Sequence, residues 1–524
     1  MERKLLVKMQ NKLLFFLLLL MPIAIFSQNF IQGRLLDTVS KQPVVFANII
    51  LEGSSKGVIS NEDGSFRIPA EFKSEFSGLI ISSMGYESVS VSKEDLSDSQ
   101  LNTIYLVPKT IELQEATVVG YKDKLSAKEI VRKAIRAIPD NFSTNPFSIV
   151  GYYRDYQQDN SKYVNLNEAI VEVQDKGFGQ RDSETTDFRI YRLVKNQDFL
   201  RDSISSSSYD YDKRNKVLEK GFLPAHHGNE LIILRVHDAI RNYDYRSYSF
   251  VDKMKKDLIG NHNFTLGRDV YLDGEWLYSI NFETKMDDVF AKGQIMISKK
   301  DFGIYALQYE VHPLNQSRLI FEIQSEYRPY QGKMYLSYLS FSNSFKLKLP
   351  PAFQVKNTYM DMESRVIVIH FNNVLDFDSA KSPEHYELFF NKRNIPLQVL
   401  KVYVATKKVV LKPMFSSERI EKQYYEAIKN DEQGSGSGSD MIVCKVEGIK
   451  DIQGNVLGVS ESKSFLQFRE YFTQNIIIGD NKNEVGAKMN KNRPLFENVT
   501  SNISFDSVQQ YWMNTPLQKA QIPN

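Results

Sequence analysis

The sequence has 524 residues, of which 42% are hydrophobic and 25% charged, and its formal net charge is +2. This length allows about three or four domains of ~100–200 residues. A charge so close to zero, with acidic and basic residues interspersed, excludes the strong positive field of a nucleic-acid-binding protein. A single cysteine, Cys444, excludes an internal disulfide, and its apolar surroundings predict a small buried side chain.

The N-terminus has the pattern of a secretory signal peptide. Basic residues precede an apolar run, Leu13 to Ser27, which ends in a small residue. The run is shorter than the ~20 apolar residues of a membrane-spanning helix, and Pro22 interrupts it. We therefore expect residues 1–27 to be cleaved, the alternative being a retained signal anchor. The mature chain is expected in the periplasm or at the outer membrane or cell surface, with no transmembrane helix after cleavage.

Residues 28–119 are predicted to form a small β-sandwich. Short apolar runs alternate with turn residues at the spacing of strands, and no helical period is sustained. The turn Asn61–Gly64 ends in a glycine, which is free to adopt a positive φ.

The same segment resembles the carboxypeptidase regulatory-like domain. The motifs, in order, are "GRLLD", "PVVFANI", "GVISNEDGSF", "ISSMGY" and "IYL" between Gly33 and Leu106. That family has a transthyretin-like sandwich fold and is common in Bacteroidetes envelope proteins, including TonB-dependent receptors. The segment Ile111–Tyr121 is similar to the end of the module in such receptors. The resemblance implies an accessory domain and no peptidase activity.

Residues 120–350 are predicted to form a β-rich central domain with a few helices. Ser126 and Glu129 form a capping box for a helix that we expect Pro139 to end. From Phe147 onward, successive strands with intervening turns predict an antiparallel meander, with Asp273-Gly274 as a hairpin turn. The pattern is similar to lipoprotein-carrier proteins, which implies a curved sheet around an apolar hollow.

Residues 351–474 resemble bacterial Ig-like domains, which implies an antiparallel sandwich. The resemblance rests on "VIVIHF", "LDFDSA" with "HYEL", and "VEGIKDIQGNVL". The stretch "GSGSGS" at 434–439 has the composition of a flexible linker. Residues 475–524 read as a polar tail, in which "VQQYW" is expected to dock back on the protein. The predicted fold class is thus mainly β.

The stretch "HHGNELIIL" carries the strongest candidate for catalytic chemistry. His227 and Glu230 have the H-x-x-E spacing that supplies two zinc ligands in zinc carboxypeptidases. That family needs a third ligand, a water-activating Glu and a doubly wound α/β sheet. Strands alternating with helices are not found here, so the surroundings do not fit.

A second interpretation explains the same residues. Asn229 is a good N-cap, and Glu230 in the first turn is favoured by the helix dipole, so an amphipathic helix is predicted over Leu231–Tyr243. We prefer this interpretation, and we assign no catalytic, cofactor-binding or metal-binding residue and no cofactor.

The sequence therefore predicts a non-catalytic exported envelope protein that acts as a binding or assembly scaffold. Its partner is an envelope protein, a lipid or a glycan, with no nucleic acid, and association with the outer membrane is compatible with this interpretation. One alternative is a zinc-dependent carboxypeptidase-type hydrolase that uses His227 and Glu230. Another is an accessory component of an outer-membrane receptor or export complex.

Overall fold

The structure is a computed structural model, and it describes the following residues: 30–53, 56–83, 85–108, 125–160, 162–197, 201–219, 221–243, 258–272, 274–286, 289–314, 319–390, 395–415, 417–419, 421–423, 425–426, 442–479, 487–501 and 510–517. The predicted signal peptide, the segment Ile111–Tyr121 and the "GSGSGS" stretch lie outside these residues. The chain divides into two compact units. Residues 1–201, 220–343 and 466–524 form the first unit, and residues 202–219 and 344–465 form the second.

The predicted N-terminal sandwich is present in the first unit. Its strands are β1 (Phe30–Asp37), β2 (Asn48–Leu51), β3 (Gly57–Ile59), β4 (Ser65–Pro69), β5 (Gly78–Ser82), β6 (Val89–Ser92) and β7 (Asn102–Leu106). They form two sheets of order β4-β1-β7 and β3-β2-β5-β6 around an apolar core. Gly64 has a φ of 74°, as predicted, and a Cβ there would lie 2.4 Å from the carbonyl oxygen of Leu35.

The remaining strands continue along the chain. They are β8 (Phe147–Asp159), β9 (Lys162–Asp175), β10 (Asp187–Lys195), β11 (Lys216–Val217), β12 (Asn263–Leu266), β13 (Val270–Leu272), β14 (Glu275–Met286), β15 (Val289–Ser298), β16 (Ile304–Pro313), β17 (Phe321–Tyr330), β18 (Lys333–Lys348), β19 (Val355–Asp361), β20 (Val366–Phe371), β21 (Tyr386–Phe390), β22 (Ile395–Ala405), β23 (Lys408–Met414), β24 (Ile442–Val446) and β25 (Ser462–Ile478). The mainly-β prediction is confirmed.

A large central sheet dominates the first unit. Its order is β10-β9-β8-β25-β18-β17-β16-β15-β14-β12, with β13 also paired to β14. The predicted antiparallel meander is confirmed for β14 to β18, whose neighbours pair in sequence order. Strand β25 returns from late in the chain and pairs along β8. Strand β8 is therefore paired along both edges, and twelve of its thirteen residues are buried.

The two faces of the central sheet are distinguished by alternate residues of β8. We call the face that carries Tyr152 and Arg154 the outer face, and the face that carries Tyr153 and Asp155 the inner face. Inner-face aromatic rings of β14, β16 and β18 are buried and contact one another or His237 and His262; they include Phe282, Tyr309 and Phe341. These described rings make the inner face of the sheet a buried, largely apolar surface.

The helices are short. They are α1 (Ala127–Arg136), α2 (Ile138–Asn141), α3 (Asp182–Thr185), α4 (Glu230–Val236), α5 (Leu258–Asn261) and α6 (Phe377–Ala380). The capping box of Ser126 and Glu129 is confirmed. Pro139 does not end the helical segment, because it occupies the first turn of α2, where its missing N–H is not needed. No helix of the described residues is long and apolar enough to cross a membrane.

The predicted helix over Leu231–Tyr243 is wrong in length and character. Helix α4 ends at Val236, and buried side chains lie all around it rather than along one stripe. The Asp238 carboxylate accepts a hydrogen bond from the backbone N–H of Arg241 at 3.0 Å, which closes a turn in place of a further helical turn.

The second unit contains a six-stranded sheet of order β19-β20-β23-β22-β21-β24. Its core is formed by apolar side chains of these strands and of the following loop, among them Ile367, Leu411 and Ile449. The Ig-like assignment of this region stays a prediction. Cys444 packs against this core, and burial raises the pKa of its thiol to about 12, which disfavours the reactive thiolate.

The C-terminal tail docks within the first unit, as predicted for its Tyr511-Trp512 pair. Trp512 is buried in the sandwich core, and its indole N–H donates to the carbonyl of Arg67 at 2.9 Å. Asn514 donates to the carbonyl of Ile59 at 2.7 Å and accepts from the N–H of Arg67 at 2.7 Å.

Candidate binding cleft

A cleft of about 540 Å³ lies between the N-terminal sandwich and the outer face of the central sheet. Strands β15, β16 and β17 form its floor, and the loop Pro43–Phe46 with residues near Tyr86 forms its wall. Its volume falls within the ~300–1,000 Å³ that small-ligand sites occupy. A second cavity, between β2–β3 and β18–β25, measures about 230 Å³ and is below that range.

Three glutamines cross the floor in one line, and we call them the amide row: Gln294, Gln308 and Gln324. Gln294 pairs directly with Gln308 across β15 and β16, and Gln308 pairs directly with Gln324 across β16 and β17. Residues in direct register point to the same face. The row follows from sheet register and not from sequence proximity.

Each amide of the row donates sideways to a floor residue. Gln294 Nε2 donates to Ser279 Oγ and Asn281 Oδ1, both at 3.1 Å. Gln308 Nε2 donates to Glu322 Oε1 at 2.9 Å, and Gln324 Nε2 donates to Glu326 Oε1 at 3.2 Å.

These contacts orient each amide by its N–H groups, of which Gln308 and Gln324 each use one of two. Among the described residues, none donates a hydrogen bond to the Oε1 atoms of the amide row. A carbonyl oxygen has two lone pairs, so the row offers a line of acceptors. Gln308, in the middle, is exposed to solvent and within reach of a ligand.

The charges on the floor leave a small negative balance. Glu326 accepts from Arg328 at 2.9 Å, which neutralises that carboxylate. Glu322 accepts from Gln308, and burial raises its pKa above the ordinary value of a glutamate. A floor with two carboxylates and one guanidinium disfavours anionic ligands.

The wall of the cleft is largely apolar. Val45 lines it together with the ring of Tyr86, and Leu272 of β13 and Met296 of the floor add apolar surface to the cleft. The Tyr86 hydroxyl donates to Asp37 Oδ2 at 3.0 Å, which holds the ring in place. An acceptor-rich floor beside an apolar wall suits a ligand with hydroxyl or N–H groups on one side and C–H groups on another.

A buried polar cluster, which we call the docking network, joins the sandwich to the sheet beside the cleft. Its members are Asn61, Glu62, Arg154, Gln158, Tyr338 and Glu470. The fully buried Arg154 binds both the Asn61 side-chain oxygen and the Glu470 carboxylate, and Tyr338 donates to Glu470 at 3.0 Å.

The docking network also holds Glu62, which accepts from Gln158 at 2.8 Å. Burial, and then the neighbouring charge of Glu470, raise the pKa of Glu62 to about 7. An apolar cluster next to the network combines Ile59 of the sandwich, Phe472 of the sheet and Tyr511 of the tail. The wall of the cleft is therefore held against its floor by polar and apolar contacts together.

The residues singled out from the sequence lie elsewhere. Asn229 is confirmed as an N-cap, since its side chain accepts from the N–H of Ile232 at 3.2 Å. His227 is exposed and has a φ of 54° in the turn that precedes α4. Glu230 accepts from the buried Arg469 guanidinium at 2.5 Å, so its carboxylate already has a cationic partner.

Metal-binding groups do not converge on this motif in the described part of the chain. No group of three or more His, Cys, Asp or Glu side chains there is placed to hold a metal ion. His237 and His262 lie in the core, where each ring nitrogen Nδ1 contacts a backbone carbonyl four residues earlier. The structure thus brings neither histidine to His227 and Glu230.

Sequence reasoning missed the amide row. A usable signal existed, because "GQIMIS", "LQYEV" and "EIQSE" each place a glutamine on a strand of the predicted meander. Only the register of the three strands reveals that these glutamines share one line.

The comparisons with known proteins address the N-terminal part. The family model of the CarboxypepD_reg-like domain matches residues 31–118, which agrees with the predicted regulatory-like sandwich. No curated protein matches the chain.

Three solved structures show distant likenesses. A domain described as an outer membrane lipoprotein-sorting protein from Vibrio parahaemolyticus is 10% identical, covers 41% of this chain and 85% of its own, and has a TM-score of 0.19. A LolA superfamily protein from Nitrosomonas europaea is 12% identical, with coverages of 42% and 86% and a TM-score of 0.17. A DUF1329 family protein from Desulfovibrio piger is 11% identical, with coverages of 42% and 87% and a TM-score of 0.19. Likenesses at this level define no shared function.

Proposed function

We propose that the protein is an exported, non-catalytic binding scaffold of the cell envelope, and that the cleft is its ligand site. The carrying observation is the amide row, whose three oxygens lack donors among the described residues and face a cleft of ligand size. Polar groups that converge in a partly apolar pocket are the usual mark of a binding site.

The floor also argues against hydrolysis in this cleft. Glycoside hydrolysis needs two carboxyl groups ~5–9.5 Å apart across the scissile bond. Glu322 and Glu326 are four residues apart on one strand, which places them about 13 Å apart along it. Each is already bound, to Gln308 and to Arg328 respectively.

The exported location rests on the predicted signal peptide, and the scaffold role on the modular order of the chain. A regulatory-like sandwich precedes the central sheet and docks on it through the docking network. The sandwich thus supplies one side of the ligand site, which gives the accessory domain a role in this protein.

Blocking the cleft tests this function without knowledge of the ligand. Ala306 lies on the floor between Met296 and Glu326, so Ala306→Trp fills the cleft. Glycan, peptide and lipid fractions of an envelope extract would be incubated with each protein, and retained compounds detected by native mass spectrometry. We expect wild type to retain a compound that Ala306→Trp does not.

The control is an equal free energy of unfolding for the two proteins, measured in urea. Retention of the same compounds by both proteins, or retention of none by wild type, would refute the proposed site.

A further inference from the structure

The chemistry of the amide row narrows the class of ligand. Its three oxygens accept hydrogen bonds, and four of its six amide N–H groups already donate, to Ser279, Asn281, Glu322 and Glu326. A matching ligand therefore brings a donor for each oxygen, and it can also accept from the second N–H of Gln308 and of Gln324. Hydroxyl groups donate one hydrogen and accept at two lone pairs, so they match both the free oxygens and the neighbouring polar groups.

The spacing of the amide row narrows the class of ligand further. Neighbouring strands lie about 4.8 Å apart, so the three oxygens are spaced at that interval over about 10 Å. An extended peptide presents groups on one face only every ~6.7 Å, which is out of step with the row. A chain of sugar rings carries hydroxyls on every ring and can present a donor at each position.

The charged groups of the floor and the apolar wall of the cleft argue against other classes of ligand. The guanidinium of Arg328 is paired with Glu326, so a phosphate or carboxylate group of a ligand would have to compete with that carboxylate. A lipid chain has no donors for the row and would leave its oxygens desolvated, at a cost for each unpaired group. The apolar side chains Val45 and Leu272 suit the C–H faces of pyranose rings.

We infer that the cleft binds a neutral oligosaccharide that runs across strands β15, β16 and β17, with one hydroxyl donated to each amide of the row. This inference rests on the proposed function, because it assigns a ligand class to the same cleft. It places Gln308, the exposed central member, at the middle of the bound chain.

A titration with defined sugars tests the ligand class. The probes are a panel of neutral gluco-, manno- and N-acetylglucosamine-based oligosaccharides of one to four rings, with calorimetric detection. We expect at least one trisaccharide or tetrasaccharide to bind, and its monosaccharide to bind at least ten-fold more weakly. Gln308→Ala should weaken binding about five- to ten-fold, since a truncated amide removes one hydrogen bond and its geometry.

The matched control is Gln398→Ala, a glutamine-to-alanine change at an exposed strand position in the second unit. Its affinity should equal that of wild type. Equal affinities for Gln308→Ala and wild type would overturn the inferred binding mode.

The outcomes separate this inference from the proposed function. If no oligosaccharide binds while a peptide or lipid is retained by wild type and lost in Ala306→Trp, the glycan inference is wrong and the cleft remains a binding site. If neither oligosaccharide nor extract compound binds, both proposals are wrong.

Discussion

The outer face of the central sheet carries polar side chains at both of its ends. These side chains are buried and paired at one end and incompletely paired at the other. At the docked end, around β8 and β25, Arg154 and Glu470 are buried and paired with groups of the sandwich or the sheet. At the open end, around β15 to β17, the amide row is fixed on one side and unpaired at its oxygens among the described residues.

This difference distinguishes polar groups that stabilise the fold from polar groups that are available to a ligand. Buried polar groups are retained in folded proteins when their partners lie in the same chain. Polar groups that are positioned but incompletely paired, in a cleft, are available to an external partner. The docked end therefore holds the domains together, and the open end presents the site.

The strongest test of the docked end removes its central cation. Arg154→Ala leaves Glu470 buried without its charge partner, so we expect a loss of about 4 kcal/mol in the free energy of unfolding, measured in urea. The counterpart on the open end, Lys292→Ala, should cost less than about 1 kcal/mol, because its ion pair with Glu310 is exposed to solvent. Similar losses for both variants would erase the distinction between the two ends.

A second test addresses the tail that reinforces the docked end. Trp512→Ala removes an indole from the sandwich core, and we expect it to cost about 3 kcal/mol, at the lower end for a buried Trp. Limited proteolysis should then cleave the tail near Tyr511 faster than in wild type. Unchanged stability and cleavage would show that the tail contributes nothing to docking.

The stability that the docked end contributes should also depend on pH. The pKa of Glu62 is raised to about 7, so its favourable contribution is complete below the unfolded pKa near 4.5 and is lost as pH rises through 7. Glu62→Gln keeps the neutral form at all pH values. Relative to wild type, the free energy of unfolding of the variant should be about 2–3 kcal/mol higher at pH 8 than at pH 5.

The control for this pH effect is Glu87→Gln at an exposed position of the sandwich, whose difference from wild type should stay constant over the same pH range. A constant difference between Glu62→Gln and wild type from pH 5 to pH 8 would contradict the raised pKa.

The smallest effect on stability is expected at the amide row. Gln308→Ala removes an exposed side chain whose contact is with Glu322, so the free energy of unfolding should change by less than about 0.5 kcal/mol. Urea unfolding of this variant provides the check. A loss above 2 kcal/mol would mean that the open end is structural like the docked end.

Much of the fold could be predicted from sequence because it depends on local signals. The capping box at Ser126, the turn at Gly64 and the alternating strands of the meander are each encoded within a few residues. The helix after Asn229 was predicted too long, because its end depends on the local contact of Asp238 with Arg241, which periodicity does not reveal.

The site depends on contacts between residues that are far apart in the sequence. Arg154 meets Asn61 and Glu470, which are 93 and 316 residues away. The amide row needs the exact register of three strands, and β25 joins β8 only after the second unit has intervened. The H-x-x-E spacing of His227 and Glu230 was visible in the sequence, whereas the pairing of Glu230 with Arg469 was not.

The most direct test of a non-catalytic cleft is mass spectrometry of the ligand after prolonged incubation with wild type and with Ala306→Trp. The ligand is the compound or oligosaccharide that wild type retains. We predict that wild type binds it and returns it with unchanged mass, and that Ala306→Trp does not bind it. A ligand that is cleaved or modified by wild type, or that binds equally to both proteins, would contradict the account.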